Sequence, residues 1–163
     1  MNDGATAINL YAVAQRVAGR LSSFADDQGV RVRVEGASAC IAGSETLAEE
    51  MLYNLIENGI RYNHEGGLVT MKVGSECVEG GLANAAYQTV VRVSDTGPGI
   101  PAELHDKVFE RFFRVDKSRS KETGGTGLGL AIVKHAVMYH GGVIEVESAE
   151  GQGTTFVLRF PSA

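Results

Sequence analysis

From Leu10 onward the apolar positions Leu10, Val13, Ala14, Val17, Leu21 and Phe24 recur at three- and four-residue spacing. That period predicts one amphipathic helix over about 9–28. Val30, Val32 and Val34 then alternate with Arg31, Arg33 and Glu35, as in a half-buried strand. A short strand near 38–42 follows. Ser44 can cap the next helix, because its hydroxyl can accept an orphan backbone N–H of the first turn. That helix is expected to reach about Tyr62. Residues 67–76 and 86–95 read as two strands joined by a turn at Gly80-Gly81.

Between Asp95 and about Gly129 the periodicity dissolves into Gly, Pro and charged residues, with short helical pieces at most. A loop of that length within a compact domain is usually functional or mobile. A last helix over about 127–140 is stopped by Gly141-Gly142. Two strands, about 143–148 and 154–160, close the chain. In the second, Phe156, Leu158 and Phe160 share one face, with Val157 and Arg159 on the other. The expected fold is a two-layer α/β sandwich, a mixed sheet packed on one face by helices, forming a single domain over 1–163.

Composition narrows the function classes. The 163 residues are enough for one domain with a proper core. Hydrophobic residues at 44% and charged residues at 21% are ordinary for a globular chain. A net charge of −5 argues against general nucleic-acid binding, which needs a basic surface. Cys40 and Cys77 form no CxxC pair, so a reduced, cytosolic compartment fits best, with one disulfide still open. No apolar run approaches the roughly 18 residues that span a bilayer, and Met1-Asn2-Asp3-Gly4 does not resemble a signal peptide. No direct membrane insertion of this domain is expected.

Three segments carry candidate chemistry. In the 44–62 helix, Asn54, Asn58 and Arg61 share one face beside the core positions Ala48, Met51, Leu52 and Leu55. Polar groups at the edge of a core need partners, which solvent or a ligand can supply. An Asn carbonyl oxygen is also a suitable hard ligand for Mg²⁺ shared with substrate phosphates. Next, the strand ending at Asp95 runs into Thr96-Gly97-Pro98-Gly99-Ile100. Its glycines let backbone approach a flat ligand, and a carboxylate there suits a ligand amino group such as that of adenine. A plain turn would use the same residues.

The third segment, Thr123-Gly-Gly-Thr-Gly-Leu-Gly-Leu-Ala-Ile-Val-Lys134, puts glycines at the start of a helix, where free N–H groups make an anion site. It is neither a P-loop nor a good dinucleotide fingerprint, since no Gly-Lys-Ser/Thr follows and position 132 is Ile. Upstream, Lys107, Arg111, Arg114, Lys117, Arg119 and Lys121 crowd among Phe109, Phe112 and Phe113. Such a run fits a solvated face, or a lid over a triphosphate.

Taken in order, these segments resemble the catalytic domain of sensor histidine kinases, within the wider gyrase, heat-shock chaperone and mismatch-repair ATPase superfamily. The matching pieces are the Asn box at Asn54–Asn63, Asp95-Thr-Gly-Pro-Gly99, the Phe box Phe109-Glu-Arg-Phe-Phe113, Gly125-Thr-Gly-Leu-Gly129 and the closing Gly151-Gln-Gly-Thr-Thr-Phe-Val-Leu-Arg-Phe-Pro161. They span nearly the whole chain.

The resemblance implies an ATP site with Mg²⁺ on Asn58 and with Asn54 beside the phosphates. Arg61 should meet phosphate, and Tyr62 should pack near the sugar or base. Asp95 should accept from the adenine amino group, with Gly97, Gly99 and Ile100 shaping the base pocket and Thr154 supporting the base. Arg114 and Arg119 match lid cations of a long ATP lid loop, and Gly125, Thr126, Gly127, Leu128 and Gly129 should hug the phosphates. Gly59 stands where the family often has Ala.

The same resemblance implies transfer of the γ-phosphoryl group to a histidine on a dimerisation domain, with a response regulator downstream and a parent that is a membrane-anchored sensor. None of His64, His105, His135 or His140 has the family's acceptor context, so the acceptor histidine is expected on that other domain. Members that hydrolyse ATP carry Glu where this chain has Asn54, which cannot act as a base. A non-catalytic nucleotide-binding module and a protein-serine kinase of the same superfamily are the alternatives.

Overall fold

The computed structural model describes residues 6–77, 87–111, 113, 129–148 and 151–163. The order of elements is β1 (Thr6–Asn9), α1 (Leu10–Arg20), α2 (Ser22–Gln28), β2 (Arg31–Gly36), β3 (Cys40–Gly43), α3 (Glu45–Arg61), β4 (Leu68–Cys77) and β5 (Tyr87–Asp95). Two 3-10 turns, Ala102–Leu104 and Lys107–Phe109, precede α4 (Gly129–Tyr139), β6 (Val143–Ser148) and β7 (Thr154–Pro161).

Five strands form a mixed sheet in the order β2-β4-β5-β7-β6. β2 and β4 are parallel, and the other pairs are antiparallel. β1 and β3 make a separate antiparallel pair. The rows across the sheet explain where the core lies. Val73, Val91, Leu158 and Ile144 stand in register, as do Met71, Val93, Phe156 and Val146. Register partners point to the same face, so these apolar rows meet the buried faces of α1, α3 and α4. Leu10, Val13, Ala14 and Val17 of α1 and Met51, Leu52, Leu55, Ile56 and Ile60 of α3 are buried there. The expected two-layer sandwich is what the chain forms.

Two local expectations need correction. The single helix over 9–28 is broken at Leu21 into α1 and α2. The Ser22 hydroxyl donates to the Gly19 carbonyl at 2.9 Å, a side-chain bond that competes with continued helical pairing. The strand near 38–42 forms, but pairs with β1 in its own small sheet rather than joining the main one. Elsewhere among the described residues the elements fall within two positions of the expected bounds, the expected helix start at 127 lying outside them. Ser44 caps α3 by accepting the Leu47 N–H at 3.3 Å. Cys40 and Cys77 are free thiols. The turn at Gly80-Gly81 lies outside the described residues.

Candidate nucleotide-binding site

Above the apolar rows the sheet ends in a polar one. Val69, Asp95, Thr154 and Ser148 are in register across β4, β5, β7 and β6. Three of these four bear oxygen, at the end of the sheet where β5 runs into the Thr96–Ile100 turn. Asp95 takes the Gly97 N–H on Oδ1 at 2.9 Å and is also bonded by the Thr154 backbone. Burial pushes its carboxyl up to about 6 from an ordinary 3.8, against the lowering effect of those two backbone bonds. A carboxyl kept in such a place, with backbone hydrogen bonds but no ion pair among the described residues, is set to receive a donor from a ligand.

The walls around Asp95 come from three elements. Gly59, on α3, packs so closely that an added Cβ would lie 3.1 Å and 3.2 Å from the Val69 methyls and 3.7 Å from Asp95 Cβ. Gly59 therefore brings α3 down onto the sheet beside the carboxylate. Gly97 is buried between Asp95 Oδ1 and the Tyr62 carbonyl, each 3.0 Å from where a Cβ would stand. Gly99 adopts a φ of 80°, a left-handed conformation that suits glycine. Ile100 is buried, its N–H donating to Ser148 Oγ at 2.7 Å. The turn is held a second time by the Gly151 N–H on the Pro98 carbonyl, 2.5 Å.

The α3 residues extend the site away from Asp95. Asn54 is half-buried, its Nδ2 donating to the Glu50 carbonyl at 2.7 Å. Its Oδ1 would be 3.1 Å from a Cβ on Gly129. α3 and the start of α4 therefore meet at Asn54 and Gly129. Asn58 lies one turn further along α3, half-buried. Arg61 is ion-paired to Glu57 at 3.1 Å and lies over the Phe24 ring at 5.2 Å, so these contacts draw it toward α2. Tyr62 ends α3 and supplies the carbonyl beside Gly97. Arg114, Arg119, Gly125, Thr126, Gly127 and Leu128 lie outside the described residues.

Sequence reasoning missed several contributors. Thr96 Oγ1 accepts the Leu68 N–H at 2.9 Å and donates toward Asn63 Oδ1 at 3.2 Å, tying the start of the turn to the end of α3. Thr96 could have been noticed within Asp-Thr-Gly-Pro-Gly; Ser148 carried no such signal. Phe109 packs edge-on against Phe156, with centroids 6.1 Å apart and Lys134 over its ring at 5.2 Å. The Phe box thus begins as a core anchor. The histidines have local tasks too. His140 Nδ1 faces the Ala136 carbonyl at 2.7 Å while Nε2 accepts the Ser44 N–H at 3.1 Å. His105 Nε2 contacts the Ile100 carbonyl at 3.0 Å, and His64 Nε2 the Thr96 carbonyl at 3.1 Å.

Comparisons with known proteins give the family and the fold. Residues 43–163 match the family described as histidine kinase-, DNA gyrase B- and HSP90-like ATPase. The sensor-like histidine kinase SenX3 of Mycobacterium tuberculosis is 37% identical over 158 residues, covering 96% of this chain and 36% of that protein. The sensor histidine kinase WalK of Bacillus subtilis is 45% identical over 112 residues, 69% of this chain and 17% of that one. The chain thus spans about a third or less of these relatives. Among solved structures, the mycobacterial sensor histidine kinase MprB superposes with a TM-score of 0.79 at 26% identity, covering 97% of each chain. Full-length ShkA in complex with AMPPNP superposes with a TM-score of 0.77 at 27% identity, over 100% of this chain and 32% of that one. Among the described residues no helix is long and apolar enough to cross a membrane.

Proposed function

This chain belongs to the histidine kinase-, DNA gyrase B- and HSP90-like ATPase family, and we propose that it is the single catalytic domain, residues 1–163, of a two-component sensor kinase. In this reading it binds Mg-ATP and donates the γ-phosphoryl group to a histidine on a separate dimerisation domain, from which a response regulator is served. The observation that carries it is Asp95, a half-buried carboxyl with no ion pair among the described residues, set beside Gly59, Gly97 and Thr154.

Adenine lies against Asp95, its amino group donating to the carboxylate, with Gly97, Gly99, Ile100 and Tyr62 around the base. Thr154 supports the base from β7. The triphosphate runs along α3 toward Gly129. Asn58 offers a carboxamide oxygen to Mg²⁺, and among the described residues that carboxamide makes no hydrogen bond of its own. Held there, Mg²⁺ would supply charge neutralisation to the phosphates. Asn54 sits beside the phosphates with Gly129; Arg114, Arg119 and residues 125–128 complete the phosphate side. Arg61 reaches phosphate by exchanging its Glu57 partner for the ligand.

Phosphoryl transfer asks little covalent chemistry of the protein; positioning and charge neutralisation are most of it. Both are what these residues offer. The acceptor histidine belongs to the dimerisation domain in this reading; in this chain His140 and His105 are tied into the fold, and His64 faces backbone carbonyls. Asn54 cannot serve as a base for water, so hydrolysis by the domain alone should be feeble. The parent is a membrane-anchored sensor whose catalytic domain faces the cytoplasm.

Mixing this chain with the dimerisation domain of the same protein and γ-labelled ATP tests the reading. Acid-labile label on that domain, dependent on Mg²⁺, is expected. Acid-stable label would instead indicate a serine kinase, and nucleotide binding with no transfer would indicate a non-catalytic module.

A further inference from the structure

Ser148 ends β6 opposite Thr154, and its hydroxyl meets three groups. It donates to the Gly153 carbonyl at 2.8 Å, since a carbonyl can only accept. It accepts the Ile100 N–H at 2.7 Å. The third contact, to Thr154 Oγ1 at 3.2 Å, then has one consistent assignment. The single proton of Ser148 is already committed to Gly153, so Thr154 must be the donor. Having given its own proton to Ser148, the Thr154 hydroxyl retains only lone pairs for any ligand. Thr154 is buried and stands in register with Asp95, whose carboxylate is itself an acceptor.

We propose that Ser148 is a specificity-determining residue: by fixing Thr154 as an acceptor beside Asp95, it makes the base pocket select the amino group of adenine against the C6 carbonyl of guanine. This rests on the reading that a purine lies against Asp95. An amino group donates to both acceptors, directly or through one water. A C6 carbonyl faces two acceptors and leaves its own lone pairs unpaired, the kind of mismatch by which polar sites reject analogues. Without the Ser148 oxygen, the Thr154 proton is released and can rotate toward such a carbonyl. The Ile100 N–H loses its acceptor as well, so the pocket wall and the donor pattern depend on one hydroxyl.

The test is titration calorimetry of the folded chain with Mg-ADP and Mg-GDP. Wild type is expected to favour ADP. In Ser148→Ala that preference should fall by about tenfold, while Ser148→Thr, which keeps a hydroxyl, should retain it. In a Thr154→Val background, Ser148→Ala should no longer change the ratio, because its route is gone. If Ser148→Ala does not fold, Ser148→Cys, whose thiol is a weak donor and acceptor, should lower the ratio in the same direction. An unchanged ratio in folded Ser148→Ala or Ser148→Cys overturns the inference. So does an equal fall with and without the Thr154 hydroxyl, since Ser148 would then not act through it. Binding of both nucleotides by wild type without preference overturns the inference and leaves a nucleotide site standing. Failure of wild type to bind either one overturns the reading beneath it.

Discussion

Gly153 lies so close to Asp95 that a Cβ atom on it would stand 2.2 Å from the Asp95 carbonyl oxygen. Its φ of 78° lies in the left-handed region as well. Two constraints therefore meet at one glycine, and Gly153 can lie against the end of β5 only because it has no side chain. Gly153→Ala should cost roughly 1–3 kcal/mol from conformation alone, and more from the clash with backbone that cannot rotate away. Urea unfolding of the variant against wild type measures it; a loss below about 0.5 kcal/mol would mean that the connection relaxes freely.

Much of this arrangement is legible in sequence because it is periodic. Val69, Met71 and Val73 on β4 and Phe156, Leu158 and Phe160 on β7 announce one buried face each, and the structure aligns them in rows. Asp95 could be singled out because a carboxylate interrupts such a strand where glycines follow. What could not be read is anything set by register between distant strands. Ser148 becomes part of the site only because β6 pairs with β7 so that Ser148 faces Thr154. Gly59 is intelligible only once Val69 is known to lie beneath it. Even the break at Leu21 escaped, because the hydrophobic stripe of α1 continues in phase through Leu21 and Ala25 of the next helix.

Asp95 gives the fold a pH dependence of definite sign. Its folded carboxyl titrates at about 6, above the ordinary 3.8. Between those values the folded chain holds a proton that the unfolded chain has released. The stability from this group is therefore present below about pH 4 and lost as pH climbs through 6, a total of about 3 kcal/mol. Asp95→Asn should accordingly be near neutral in stability at pH 4 and more stable than wild type at pH 7. Denaturation of both proteins across that range gives the difference directly. A difference that does not grow with pH would show that burial does not raise the Asp95 carboxyl.

His140 ties the end of α4 to the start of α3, donating through Nδ1 to Ala136 and accepting the Ser44 N–H on Nε2. His140→Ala leaves that N–H without its partner, at a cost of about 1–3 kcal/mol. The ADP to GDP preference of the folded variant should stay as in wild type. Chemical denaturation and nucleotide titration together check this; lost stability with a changed preference would place His140 in the recognition machinery.

Asn58 is assigned to the metal and Asp95 to the base, and the two roles separate experimentally. Asn58→Ala should abolish most of the gain in ATP affinity that Mg²⁺ provides, leaving affinity in EDTA within about threefold of wild type. Titrations with and without Mg²⁺ measure it. An undiminished metal effect would remove Asn58 from the metal site.

The central claim is that an adenine nucleotide binds with its base on Asp95. It is tested most directly by unfolding wild type and Asp95→Ala with and without an ATP analogue and Mg²⁺. Ligand at one hundred times its dissociation constant should stabilise wild type by about 2.7 kcal/mol and leave Asp95→Ala almost unchanged. Equal stabilisation of the two proteins, or none of wild type at millimolar nucleotide, would contradict it.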